Sequence, residues 1–400
     1  MKTTIKWIIY TLLAMGIIAV VSWWSIGPDR RALLIELPKN NDVLFWTQKQ
    51  RDVGFRVLDQ FSWLVNTREI LPSNKVKELA VGDELVINDD VDRFFTEQRL
   101  SGAIILHKGK IRFERYSLGH SPDARWTSFS VAKSFTSSLV GIALKEGHIE
   151  SLNDSVSKYI IGLKGSAYDD VTIEQLLTMT SGVDWNEDYY DPNSDVAMFN
   201  SHQAENGLPT IVSYMRNLKR ANPPGEKWHY STGETNLIGI LVERATGRNL
   251  SDYLTEKIWQ PYGMENKATW VLGADGNEIS GCCIQASLRD FARYGLFILD
   301  GGRIEGQSIL PNDWISKATS SQTDIGTDDG RGYGYQWWTF EDGSFTARGI
   351  FGQTIFIDPK RELVIAFNGN WPTATDADLD RKRFTFIDSV QSAIDLQQNP

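Results

Sequence analysis

Ser130-Val131-Ala132-Lys133 sets a hydroxyl and an amine three residues apart, a spacing that brings both onto one face of a helix. A serine hydroxyl is a weak nucleophile until a neighbouring base takes its proton, and a lysine amine serves once its pKa falls. The same pattern recurs at Ser155-Val156-Ser157-Lys158, so spacing alone does not choose between the two. The surroundings do. Ser130 opens a run carrying Ala132, Phe135, Thr136, Leu139, Val140 and Ala143, which predicts a helix over about 128–145 with its apolar side buried beneath the pair. A serine at that position also meets the free backbone N–H groups and positive dipole end of the helix, which favour an oxyanion. Ser155 follows Leu152-Asn153-Asp154 in a turn-like stretch with no comparable helix behind it.

Other chemistries find little support. His107, His120, His148, His202 and His229 include no pair four residues apart, so a helical zinc pair is excluded. Cys282 and Cys283 are adjacent, and are expected as two small buried residues rather than a bonded pair. Fourteen tryptophans suggest sugar stacking, but no carboxylate pair at a known separation supports it. The 400 residues carry a net charge of −10, which leaves no basic surplus for a nucleic-acid partner. Hydrophobic residues at 41% and charged residues at 23% fit one large folded domain rather than a disordered chain.

The elements that must position the serine are legible as patterns. Ala103 to Tyr116, turning at Lys108-Gly109-Lys110, reads as a hairpin. Thr172 caps a helix, and amphipathic helices are expected over 236–246 and 288–299, the second capped by Ser287 with Asp290 three positions on. Strands are expected over 334–340, 354–357 and 363–367, and a final helix over about 381–396. Strands, then helices, then strands and a last helix predict an α/β (α+β) arrangement, an antiparallel sheet flanked by helices with a helical insert. No internal repeat appears. The expected organisation is 1–28 as a membrane anchor or signal segment, 29–85 as a lead-in packed on the main domain through the cluster 55–65, and 86–400 as the catalytic domain.

Lys2 and Lys6 precede eighteen uncharged residues, Trp7 to Trp24. As a helix these span about 27 Å, close to a hydrocarbon core of roughly 30 Å. Indoles at both ends suit the membrane interface, and the bulky exit Val21-Ser22-Trp23-Trp24 suits a cleavage site badly. An N-terminal transmembrane helix with the remaining chain extracytoplasmic or periplasmic is expected, the alternative being secretion after signal cleavage. Arg30 and Arg31 beyond the span oppose that orientation, while Lys2, Lys6 and the free amine favour it.

Three motifs occur in order: Ser130-Val-Ala-Lys-Ser-Phe-Thr-Ser137, Leu176-Leu-Thr-Met-Thr-Ser-Gly-Val183 and Pro224-Gly-Glu-Lys-Trp-His-Tyr-Ser231. Together they resemble the serine β-lactamase and penicillin-binding-protein superfamily over about residues 85–400. Within it they look most like the class C-like branch of esterases, carboxypeptidases and 6-aminohexanoate-dimer hydrolases, and Asn186-Glu-Asp-Tyr-Tyr-Asp-Pro192 and Gly349-Ile-Phe-Gly-Gln353 are similar to the last of these in particular. The resemblance implies a β-lactamase/transpeptidase-like fold and a serine hydrolase that cleaves a small ester or amide through an acyl-enzyme. It implies no metal or cofactor.

Carried over by that resemblance, Ser130 matches the nucleophile, Lys133 its activating amine and Tyr230 the tyrosine of the second box. Ile350 falls where the second oxyanion N–H is supplied. A cation beside Tyr230 is expected to lower the phenol pKa, so that the pair shares its protons. Two boxes depart from the pattern. Thr232 stands where Tyr-x-Asn carries asparagine, and Lys-Thr-Gly has no match beyond Arg348 in Ala347-Arg348-Gly349, so lactam recognition is not expected. For substrate binding, Tyr189 resembles a pocket tyrosine of the branch. Asn200 falls where a carboxylate receives a substrate ammonium, and Trp185, Trp337 and Trp338 are candidate walls. The competing readings are a slow or non-catalytic penicillin-recognising module and a D-Ala carboxypeptidase.

Overall fold

The computed structural model describes residues 2–398 apart from 206, 328 and 329. Its centre is a seven-stranded antiparallel sheet in the order Lys110–Tyr116, Leu100–His107, Leu363–Gly369, Gln353–Asp358, Phe345–Gly349, Trp338–Phe340, Arg331–Tyr333. Side chains alternate across a strand, and here both faces are covered. Ile104, Leu106, Val364, Ala366, Ile355 and Ile357 enter the large core shared with the helix Leu288–Leu299. Their neighbours Ala103, Ile105, Ile365, Phe367 and Phe356 meet Phe386, Val390 and Ile394 of the C-terminal helix Ala377–Gln398. Burial of the strand Leu100–His107 on both faces explains why its middle, Ala103–Leu106, reads as a continuous apolar run rather than an alternating one.

The expected hairpin, the capped helices and the strands expected over 354–357 and 363–367 are present. Thr172 forms a full capping box with Gln175, and the Ser287 hydroxyl accepts the Asp290 N–H. Two boundaries differ for identifiable reasons. The expected strand 334–340 is a hairpin, in which Arg331–Tyr333 pairs with Trp338–Phe340 around a turn. There Gln336 takes φ +65°, because its side chain donates to the Leu177 carbonyl and accepts from Thr235. These partners lie on other helices, so no local pattern could announce the turn. The last helix starts several residues earlier than expected, because the Asp376 carboxylate accepts the N–H groups of Asp378 and Leu379.

The lead-in does more than pack. Thr67–Ile70 pairs with Ala268–Val271 at the edge of a second sheet, which continues through Ile284–Ala286 to Trp126–Thr127. Phe55, from the helix Gln48–Val57, sits against Trp126, Phe129 and Phe351. This second sheet therefore delivers the chain directly to Ser128 and the short 3₁₀ turn Phe129–Val131, which runs into the helix Ala132–Lys145. The N-terminal helix Lys2–Ser25 contains an apolar stretch, Thr4–Ser25, of mean hydropathy 2.0, none of it buried. At about 1.5 Å per residue it is long enough to cross a membrane.

The strand Phe345–Gly349 passes so close to this turn that only glycine fits at its end. A Cβ on Gly349 would lie 2.6 Å from the Ser128 carbonyl oxygen and 3.1 Å from the Phe129 Cβ. Gly349→Ala is expected to force the strand and the Ser130 turn apart, lowering the unfolding free energy by about 1–3 kcal/mol. Denaturant titration of the two proteins checks this.

Candidate active site

Ser130 stands on the 3₁₀ turn with most of its surface covered, and Phe129 before it takes φ +42°. Ser130, Tyr230, Gly349 and Ile350 all line one cavity of about 440 Å³. Lys133 lies behind the wall, one turn along the helix from Ser130 and 2% exposed. Its amine donates to Thr232 Oγ1 at 2.9 Å and to the Gly281 carbonyl at 2.6 Å, and sits 5.3 Å from the centre of the Tyr230 ring. Burial removes water from the ammonium and pulls the Lys133 pKa down to about 8, with the Glu187 charge opposing the fall.

Tyr230 moves against expectation. Burial and the Glu187 charge push its phenol above the usual range, while the Ser130 hydroxyl and Arg348 hold it back only in part. The cation expected beside it is a lysine whose own pKa is drawn down to about 8, so near neutral pH the pair rests as phenol and ammonium with a minor fraction of free amine, rather than as phenolate and ammonium. The Tyr230 ring is fixed by stacking on Trp338 at 5.8 Å.

Gly281 completes the lysine's surroundings. A Cβ there would lie 2.8 Å from Thr232 Cγ2, so the loop could not approach the amine with any larger residue. The following Cys282 and Cys283 form a disulfide, contrary to the expectation of two separate thiols. Cys283 adopts φ +84°, and the loop is tied on both sides. Trp270 Nε1 donates to the Cys282 carbonyl, and the Ile284 N–H donates to Ser128 Oγ. Tertiary anchors of this kind leave no trace in the local sequence.

The remaining candidates divide. Tyr189 and Arg348 line the cavity. Arg348 also bonds Asp380 at 2.5 Å, a carboxylate shared with Arg383 and Arg331, and lies over Trp338. Asn200 is not brought to this cavity. It borders a separate small one with Phe199, Thr210 and Asp275, because the short helix Asp195–Met198 carries it away. Trp185 is buried between Phe199 and Tyr214, and reaches the site only through its Nε1, which donates to Glu187. Trp337 packs in the core on Phe345 and Tyr294, whereas Trp338 lines the cavity. Ser155 caps the short helix Val156–Tyr159, and Lys158 pairs at the surface with Glu150 and Asp154.

Glu187 and Thr232 escaped the sequence reading as site residues. Glu187 lies in a stretch with Asp188 and Asp191, so nothing in its spacing set it apart. Thr232 was visible only as a departure from Tyr-x-Asn.

A serine at a helix start, a buried lysine one turn on and a tyrosine over the same cavity form an arrangement that can carry out acyl transfer. The β-lactamase family profile matches residues 87–387, and the chain belongs to that family. It is 29% identical over 301 residues to the 6-aminohexanoate-dimer hydrolase of Paenarthrobacter ureafaciens, covering 71% of this chain and 76% of that enzyme. A Bacillus anthracis structure provisionally described as a 6-aminohexanoate-dimer hydrolase superposes with a TM-score of 0.76 at 22% identity, covering 88% of this chain and 95% of the other. A family VIII carboxylesterase superposes with a TM-score of 0.59 at 18% identity, over 76% and 96% of the two chains. The fold is accordingly of the β-lactamase/transpeptidase type.

The disulfide predicts a simple chemical result. Alkylating the denatured, unreduced protein is expected to leave Cys282 and Cys283 unmodified, and both are modified after treatment with a dithiol, read by mass spectrometry of the peptide.

Proposed function

We propose that this protein is a serine hydrolase for a small ester or amide, acting through an acyl-enzyme on Ser130. The observation that carries the proposal is the convergence of Ser130, Tyr230 and Ile350 on one cavity, with the Lys133 amine sealed directly behind it. A pKa near 8 leaves a useful fraction of Lys133 as free amine near neutral pH.

In the first step Ser130 Oγ bonds to the substrate carbonyl carbon, its proton passes to the Lys133 amine, and the carbonyl π pair moves onto oxygen. The backbone N–H groups of Ser130 and Ile350 receive that oxyanion. Collapse restores the carbonyl and breaks the bond to the leaving group, which takes a proton from the Tyr230 phenol. The Lys133 ammonium returns a proton to Tyr230. Water then attacks the acyl-enzyme by the reverse proton route and releases the acid. The hydrolase relatives support a small ester or amide as substrate, and Tyr189 and Trp338 supply an aromatic wall for it. The apolar N-terminal helix supports a membrane anchor or a signal segment, with the domain outside the cytoplasm.

Ser130→Ala is expected to abolish labelling by a fluorophosphonate probe and turnover of p-nitrophenyl butyrate. Persistent labelling overturns the assignment, and a single release of p-nitrophenol per chain points to a slow binder instead. The rate should rise with pH through a midpoint near 8, because Lys133 is protonated and idle below it. The raised Tyr230 predicts no matching loss of rate just above that point.

A further inference from the structure

Lys133 is a buried amine with no carboxylate in ion-pair contact among the described residues. Its link to negative charge is indirect. Thr232 Oγ1 accepts from the amine at 2.9 Å and donates its own proton to Glu187 Oε1 at 2.5 Å. Glu187 Oε2 accepts the Thr232 backbone N–H at 2.9 Å, the first N–H of the helix Thr232–Thr246. The Tyr189 hydroxyl donates to the same carboxylate at 2.7 Å, and Trp185 Nε1 donates as well. Four donors therefore hold one carboxylate in place, on a cavity wall, aimed along a threonine hydroxyl at the lysine. A carboxylate at a helix start is also favoured by the free N–H groups there.

We infer that Glu187 is a positioning residue of the proposed acyl-transfer site, which through Thr232 orients the Lys133 amine and sets the pH at which it becomes free to act. This inference rests on the hydrolase reading above. Thr232 can donate to only one acceptor. With its proton committed to Glu187, its lone pairs face Lys133, and it acts as acceptor to the amine rather than competitor. Glu187 thus fixes the direction of the whole chain of hydrogen bonds. It also favours the charged form of Lys133 electrostatically, against the burial that disfavours it. The substitution of threonine for the usual asparagine of the second box suits this arrangement, since a hydroxyl relays where a side-chain amide would spread its donors.

The other titratable groups facing the pair do not substitute for Glu187. Tyr189 is a donor to it, and burial and the Glu187 charge push both Tyr189 and Tyr230 upward. Tyr333 packs against Tyr230 and is raised in the same way. Glu234, two residues along the helix from Thr232, turns to Ser181 instead, and burial raises its pKa to about 8. Arg348 faces Tyr230 from the far wall and is itself bonded to Asp380.

The test is the pH dependence of two Ser130 reactions in the detergent-solubilised full chain: fluorophosphonate labelling and p-nitrophenyl butyrate turnover. Glu187→Gln removes the charge, so the Lys133 pKa should fall further, and the acid-side midpoint should move down by about one pH unit, a tenfold change in the acid dissociation constant. Plateau rate should fall as well, because the amide leaves Thr232 free to turn. Glu187→Asp retains the charge and should keep its midpoint near that of the parent. Thr232→Ala should lower the midpoint in the same sense and Thr232→Ser should restore it, which keeps the test open if Glu187→Gln does not fold. A folded Glu187→Gln whose midpoint is unmoved or raised overturns this inference alone. A Ser130→Ala protein that still labels or turns over overturns the hydrolase reading, and this inference with it.

Discussion

A lysine amine sealed from water is the constraint around which this molecule is arranged. Desolvating an ammonium is costly, and the group answers by giving up its proton more readily and by finding acceptors. Lys133 does both, with a pKa drawn down to about 8 and its donors on Thr232 and Gly281. Each acceptor comes from a different part of the chain. Thr232 begins one helix, and Gly281 lies in a loop whose close approach tolerates no side chain. The helix carrying Lys133 is itself buried along nearly its whole length. Moving any of these elements would leave a buried charge unanswered, so the electrostatics of one amine and the packing of three segments are a single problem.

The large sheet solves a different one. Its two faces bury separate clusters, one with the C-terminal helix and one continuous with the helical region. The site occupies neither core. It opens where the edge of Phe345–Gly349 meets the turn before the Ser130 helix, and the glycine at that meeting point sets their separation. The second sheet, built partly from the lead-in strand Thr67–Ile70, holds the turn from the other side. Rigid supports on both sides of a strained turn give the serine a defined position without its own side chain contributing to the core.

Much of this was legible in the sequence. The helix under Ser130 showed in its apolar spacing, the caps at Thr172 and Ser287 in their residue types, and the core strands as apolar runs. The second Ser-x-x-Lys copy has no comparable apolar helix behind it, and its lysine lies at the surface as part of an ion-paired turn. What escaped were features whose cause is distant in sequence. The hairpin at Gln336 depends on Leu177 and Thr235, and the bonded cysteines on a loop tied to Trp270 and Ser128. Asn200, placed by resemblance in the substrate pocket, instead borders another cavity.

The sequence by itself determined the Ser130–Lys133 pair as a candidate, the helix that carries it, the strands of the core and the apolar N-terminal segment. All of these are local, because periodicity and residue type act over a few neighbours. Tertiary structure alone decided the state of the pair. It placed Glu187, one acid among several in its stretch, on the threonine that holds the lysine, across 45 positions of sequence. It also buried Tyr230 beside the Glu187 charge, so that the phenol keeps its proton despite a neighbouring cation. Protonation depends on how much water is excluded and which charges face the group, and both are properties of the assembled fold rather than of any segment.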